Sequence, residues 1–182
     1  SRLAHMGGAI GIHVLTFDRL VSACLDATHT AVTELSEPVQ YRLLQSIITT
    51  LPLTYYQPLT DKPGFITVLQ QLIAEWKSAR IEPSALHSAF VALGNEPRLV
   101  ELADIYLAYQ TELQAHDWVD NEGRNWVAIA QLEQQPHAAA NWPYLFIDGF
   151  DDFTPIQLTL LQQLGQQVGH MTLTLTGGET IT

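Results

Sequence analysis

The sequence has one cysteine, eight lysines and arginines taken together, and no apolar run long enough to cross a bilayer. Each scarcity excludes something. A lone thiol, Cys24, closes no internal disulfide, so no oxidising compartment is implied. The eight cations form no cluster and stand against 19 acids, for a formal net charge of −11. Such a chain is not expected to hold a nucleic-acid backbone unaided, because that affinity comes from neutralised phosphates. Binding within a larger, more basic assembly stays open. A spanning helix needs about 18 or more apolar residues in a row. The start, Ser1 to Gly8, also lacks the apolar core and small-residue cleavage site of a secretory leader. A soluble, cytoplasmic chain with no membrane partner is therefore expected. There is no Gly-x-x-x-x-Gly-Lys-Ser/Thr loop and no Gly-x-Ser-x-Gly elbow. None of the seven histidines forms a helical pair with a third ligand, so no zinc site is expected.

What is present is core material. Of the 182 residues, 47% are hydrophobic and 15% charged, which suits one globular domain, or one with a sizeable insertion. After the Gly7-Gly8 turn, Ile10 to Phe17 reads as a strand. Thr16 then caps a helix with Phe17, Leu20, Val21, Cys24 and Leu25 on one face; Cys24 reads there as a small buried hydrophobe. Residues 36–139 change character. Ser36 with Glu37-Pro38 starts a helix lined by Val39, Leu43, Leu44, Ile47, Ile48 and Leu51. A second helix carries Phe65, Val68, Leu69, Leu72, Ile73 and Trp76. Pro83 opens a third, which Gly94-Asn95 ends, and Pro97 a fourth, long one through Leu113. A short fifth holds Trp126, Ile129 and Ala130.

Beyond Pro143 the period changes again. Tyr144 to Asp148 reads as a buried strand ending in a carboxylate. Thr154-Pro155-Ile156-Gln157 is a capping box, followed by Leu158, Leu160, Leu161 and Leu164. Met171 to Leu175 alternates with period two, as a strand does. Buried strands joined through helices indicate an α/β parallel sheet carrying a large all-helical insertion. Three strands make a thin sheet, so an exposed apolar edge or face, and self-association of the isolated chain, are expected.

The stretch Phe146-Ile147-Asp148-Gly149-Phe150-Asp151-Asp152 is the most informative. A carboxylate at the C-terminal end of a parallel strand lies where open α/β sheets bind ligands. On the residues alone, a strand-end turn, in which Asp hydrogen-bonds locally, is the favoured reading. Glu112, His116, Asp117 and Asp120 read as a solvated helix end, and Trp76 and Trp126 as core residues rather than base-stacking platforms.

The same stretch resembles the Walker B motif of superfamily I DNA helicases, apolar-Asp-Glu-aromatic-Gln-Asp with a later Gln. Asp148, Phe150, Asp152 and Gln157 match. Gly149 stands where the catalytic Glu belongs and Asp151 replaces the first Gln. Leu15-Thr16-Phe17-Asp18-Arg19-Leu20 is similar to the helicase segment apolar-Thr-Phe-His-x-Leu along the single-strand path, with Asp18 in place of the His. Thr176-Gly177-Gly178-Glu179 follows the motif III Gly-Asp pattern only in part. Asp-Gly-Phe in place of Asp-Glu-Phe resembles the B subunit of bacterial AddAB-type ATP-dependent helicase/deoxyribonucleases, an inactivated helicase fold.

That resemblance implies a partial P-loop NTPase-like (helicase 1A) parallel sheet from residues 1–35 and 140–182, with 36–139 as a 1B-like helical insertion. It implies no catalytic residue and no metal site in this stretch. Asp148, Asp152 and Gln157 become the remnant of a nucleotide/Mg site, and Thr16 and Phe17 candidates for the DNA path. ATP and Mg²⁺ would enter only with a P-loop upstream. The implied partners are an AddA-type helicase-nuclease subunit and single-stranded or unwound DNA, and the implied work is scaffolding and strand guidance in double-strand-break repair. Two alternatives stand beside it: part of an active superfamily I helicase ATPase, and a helical domain with no nucleotide ancestry.

Overall fold

The computed structural model describes residues 11–175. In chain order the elements are α1 (Phe17–Ala27), β1 (Thr33–Glu34), α2 (Glu37–Thr50), α3 (Pro63–Ser78), α4 (Pro83–Ala92), α5 (Pro97–Ala115), β2 (Trp118–Val119), α6 (Asn121–Gln134), β3 (Leu145–Phe150), α7 (Pro155–Gly165) and β4 (Met171–Leu175). The chain is thus α/β and mostly helical, with two small parallel sheets, β1–β2 and β3–β4. No helix among the described residues is long and apolar enough to cross a membrane.

Proline sets most of the helix starts. Pro38, Pro63, Pro83, Pro97 and Pro155 sit in the first turns of α2, α3, α4, α5 and α7, where the missing N–H would have had no helical partner. The Thr154–Gln157 capping box is complete, each side chain answering the other's backbone N–H. Thr16 caps α1 by accepting from Arg19 N at 3.3 Å.

Three expectations about the elements change. Residues 12–16 form no strand, and Ile10 lies outside the described residues. Ile12, Val14 and Leu15 are apolar but 55%, 90% and 44% exposed; an extended run becomes a strand only beside an edge that takes its hydrogen bonds. The short fifth helix is the 14-residue α6, whose start is fixed by Asp120 accepting from Gly123 N at 2.7 Å. The strand at Tyr144–Asp148 begins at Leu145 and is buried on one face only: Ile147 points inward, whereas Tyr144 and Phe146 are 66% and 70% exposed. The short β1 and β2 had no signal in the sequence, since two residues carry no period.

The buried side chains form two clusters. One joins α1, α6, α7 and β3 through Leu20, Val21, Cys24, Ala128, Ile129, Leu132, Ile147, Leu160 and Leu164. The other joins α2, α3, α4 and α5 through Leu44, Ile48, Ile66, Leu69, Ile73, Tyr106, Tyr109 and Leu113. Polar contacts tie them at the start of α6. Lys77 of α3, 0% exposed, donates to Asp120 at 2.6 Å and to Gln110 at 3.0 Å. Arg124, one turn later, donates to Asp18 (2.8 Å) and Ser22 (2.7 Å) of α1 and pairs with Glu34 of β1 at 3.2 Å. Asp120 is therefore not part of a solvated helix end: it is 2% exposed. A buried carboxylate persists only when paired and hydrogen-bonded, and Lys77 and the Gly123 N–H meet that need.

Candidate functional site

The candidate site lies where β3 ends and α1 begins. β3 pairs in parallel with β4, Leu145 opposite Met171 through Ile147 opposite Leu173, and then slips: Phe150 is opposite Leu175. Three steps on β3 match two on β4, so β3 carries an extra residue at Asp148-Gly149. A bulge of this kind re-aims side chains at the end of a pair. Gly149 takes φ +83° there, a left-handed conformation that an L side chain enters at a cost of about 1–2 kcal/mol. The space around it is open, so the constraint lies in the backbone and not in packing.

Asp148 is exposed on β3, and its carboxylate accepts from the hydroxyl of Thr174 on β4. Asp152 turns onto its own chain, accepting from Phe153 N at 2.7 Å. Gln157 is occupied in the capping box, accepting from Thr154 N at 3.0 Å. The three residues of the sequence-derived nucleotide/Mg remnant thus lie on the end of β3, the loop after it and the first turn of α7, but Asp152 and Gln157 serve local structure. Among the described residues, no set of three His, Cys, Asp or Glu is placed to hold a metal ion. Magnesium commonly takes one or two carboxylates with phosphate oxygens completing its shell, and Asp148 is one such carboxylate.

The two motif-bearing segments meet here. Phe17, the first residue of α1, packs edge-on against Phe150 with ring centroids 6.3 Å apart, and Phe150 stacks on Phe153 at 4.9 Å. Phe17 is half-buried; its ring is shared between core and surface. Thr16 beside it is exposed while its hydroxyl caps α1. Asp18, where the helicase pattern has His, is engaged by Arg124. A His could not form that ion pair, so the substitution has a structural use.

Sequence reasoning missed Lys77, Glu101 and Arg124. All three are buried charged residues whose partners lie 33 to 106 positions away in sequence, beyond the reach of any local pattern. Glu101 accepts from Thr54 N and Oγ1 and from Tyr55 N and Tyr56 N, at 2.6–3.0 Å. Burial alone would raise its pKa; those hydrogen bonds outweigh burial and hold the carboxyl below its ordinary value. Burial pushes the Cys24 thiol up to about 12, which removes it as a nucleophile. Burial, then the charge and hydrogen bond of Asp120, keep Tyr109 neutral far above its ordinary range. Two hollows lie away from Asp148. One is a cavity of about 20 Å³ beside Asp120 and Tyr109, and the other an open groove of about 350 Å³ beside Tyr41, Arg42 and Gln45.

A family model described as "ADDB, N-terminal" matches residues 1–181. Curated relatives, each named as the B subunit of an ATP-dependent helicase/deoxyribonuclease, are similar along most of the chain. The protein of Alkaliphilus metalliredigens is 29% identical over 96% of this chain and 16% of its own length. That of Carboxydothermus hydrogenoformans is 29% identical over 92% of the chain and 16% of its own length. That of Alkaliphilus oremlandii is 33% identical over 68% of the chain and 11% of its own length. The chain thus spans about one sixth of the first two relatives, 16% in each. With a family model covering all but its last residue, the chain belongs to the AddB N-terminal family.

Proposed function

We propose that the chain is part of an inactivated helicase-like subunit of an ATP-dependent helicase/nuclease. Its work is to scaffold an AddA-type helicase-nuclease partner and to guide single-stranded DNA during double-strand-break repair in the cytoplasm. The observation that carries this reading is Gly149. It follows Asp148 where a Walker B strand has the water-activating Glu, and its φ of +83° disfavours any side chain at that point. The loss therefore involves the backbone as well as the side chain.

The contact of Phe17 with Phe150 supports reading the two helicase-like segments as neighbours in one scaffold. The unit β3–α7–β4, two parallel strands joined through a helix, supports a P-loop NTPase-like 1A sheet completed by chain outside residues 1–182. The proposed division is a 1A-like part from 1–35 and 140–182 and a 1B-like insertion at 36–139; the buried clusters follow it for α1, α2–α5, β3 and α7 and cross it at Leu35, Ala128, Ile129, Leu132 and Ala139. Within that division, the apolar face of α6 belongs with the sheet. ATP or Mg²⁺ would need a P-loop from elsewhere in the parent, with Asp148 as the one matched ligand.

Titrating the full-length protein with labelled single-stranded DNA tests strand guidance. Phe17→Leu keeps an apolar side chain against Phe150 and removes the ring. Weaker binding at unchanged thermal stability is the expected result; unchanged binding removes Phe17 from the DNA path.

A further inference from the structure

We infer that Arg124 is a positioning residue for Thr16 and Phe17: from α6 it fixes the first turn of α1 in the rotation that sets the Phe17 ring beside Phe150. This rests on the reading of Thr16 and Phe17 as part of a single-strand path. The pair needs such a fixture. Residues 12–16 form no strand and are exposed, so among the described residues no ladder of hydrogen bonds fixes the approach to α1. The placement of Phe17 is set from the helix side.

The Arg124 side chain is 10% exposed. Its Nη1 donates to Asp18 Oδ1 at 2.8 Å and its Nη2 to Ser22 Oγ at 2.7 Å. Asp18 and Ser22, four residues apart, share one face of α1. The planar guanidinium fork therefore bridges a full turn and resists rotation of the helix about its axis. A rotation of about 10° carries a side chain at about 5–6 Å from the axis through about 1 Å. The fork is itself held. Nη1 also pairs with Glu34 of β1 at 3.2 Å. β1 lies alongside β2, which ends at Val119, immediately before the Asp120 that caps α6, and Lys77 holds Asp120 at 2.6 Å.

Charge separates positioning from direct contact. The Asp18 side chain is 62% exposed, next in sequence to Phe17. An acid beside a strand repels its phosphates, so Asp18 opposes binding unless it has another use, and its use here is Arg124. Arg124 in turn faces two acids and has little surface left for a phosphate. It acts on a strand through α1 and not by touching it. A residue of the helical stretch 36–139 thereby sets the geometry of a segment within 1–35.

The test is the affinity of the full-length protein for labelled single-stranded DNA, measured by fluorescence anisotropy over a salt series. Asp18→Ala cuts the tie from the α1 side. By charge alone, losing an acid tightens binding; positioning predicts binding weakened about fivefold, the low end of what one stacked base is worth. Arg124→Gln should weaken binding as much with no change in the salt slope, whereas a lost phosphate contact lowers that slope by about 1. The acids it leaves, Asp18 and Glu34, are 62% and 42% exposed, so the fold is kept. Neither substitution should weaken binding further in a Phe17→Leu background. Asp18→Ala binding as tightly as the wild type or more tightly, or losses that add to that of Phe17→Leu, overturn the positioning role. If Phe17→Leu alone leaves binding unchanged, the single-strand path itself is wrong, and this inference falls with it.

Discussion

Replacing Lys77 by Met should remove much of this chain's stability margin, and replacing its partner as well should restore most of it. The Lys77 ammonium and the Asp120 carboxylate are 2.6 Å apart, with side chains 1% and 3% exposed. Met fills nearly the same volume, so packing around Trp126 and Tyr109 is kept while the charge is removed. Asp120 then stays buried with no cation. Breaking such a pair costs about 3–5 kcal/mol. The bond Asp120 keeps, from Gly123 N at 2.7 Å, favours the lower end; the lost bond to Gln110 adds about 1 kcal/mol. A net loss of about 4 kcal/mol is large beside a total of about 5–15 kcal/mol. With a urea m-value of about 2 kcal/mol/M, the midpoint falls by about 2 M. In Lys77→Met/Asp120→Asn the Asn still caps α6 and no unpaired charge remains, so the double variant should recover at least half of the loss. Urea unfolding followed by tryptophan fluorescence reads both. A single variant within about 1 kcal/mol of wild type, or a double variant no better than the single, refutes the argument.

Other consequences are more local. Glu101 is depressed in the fold, so its contribution is present above the unfolded carboxylate range of about pH 4 and is lost as the pH falls through its lower folded value. Glu101→Gln should therefore flatten the loss of thermal stability between about pH 5 and 3, and equal slopes in calorimetry would contradict this. Gly149→Glu should destabilise the chain by about 1–2 kcal/mol in denaturant titration and restore no ATP turnover in the full-length protein. Gly169→Ala would place a methyl group 2.8 Å from the Pro143 carbonyl oxygen, and a melting temperature lowered by several degrees is expected. Cys24 should react with a thiol reagent only as the chain unfolds, so fast native-state labelling would contradict its burial.

The helices were legible where proline and periodicity mark them. Pro38, Pro83, Pro97 and Pro155 announce helix starts in the sequence, and Thr154 to Gln157 specifies its own hydrogen bonds. β3 and β4 were visible for a related reason, since one buried face imposes a pattern. Ile12 to Leu15 looked equally strand-like, but pairing depends on a neighbouring edge that local sequence does not encode. At the candidate site, residue identities placed Asp148 and Gly149 together. They could not show that Gly149 adopts φ +83°, that Gln157 faces back onto its own cap, or that Phe17 reaches Phe150 across the fold. Asp120 read as part of a solvated helix end and Lys77, 43 positions away, carried no signal of its own; only tertiary structure brings the two together.

ATP turnover by the full-length helicase/nuclease complex, compared with the same complex carrying Asp148→Ala in this chain, tests the loss of the water-activating acid most directly. The account predicts unchanged turnover, because the strand end at Asp148-Gly149 activates no water. Turnover abolished by that one substitution would show a working nucleotide site at Asp148 and contradict it.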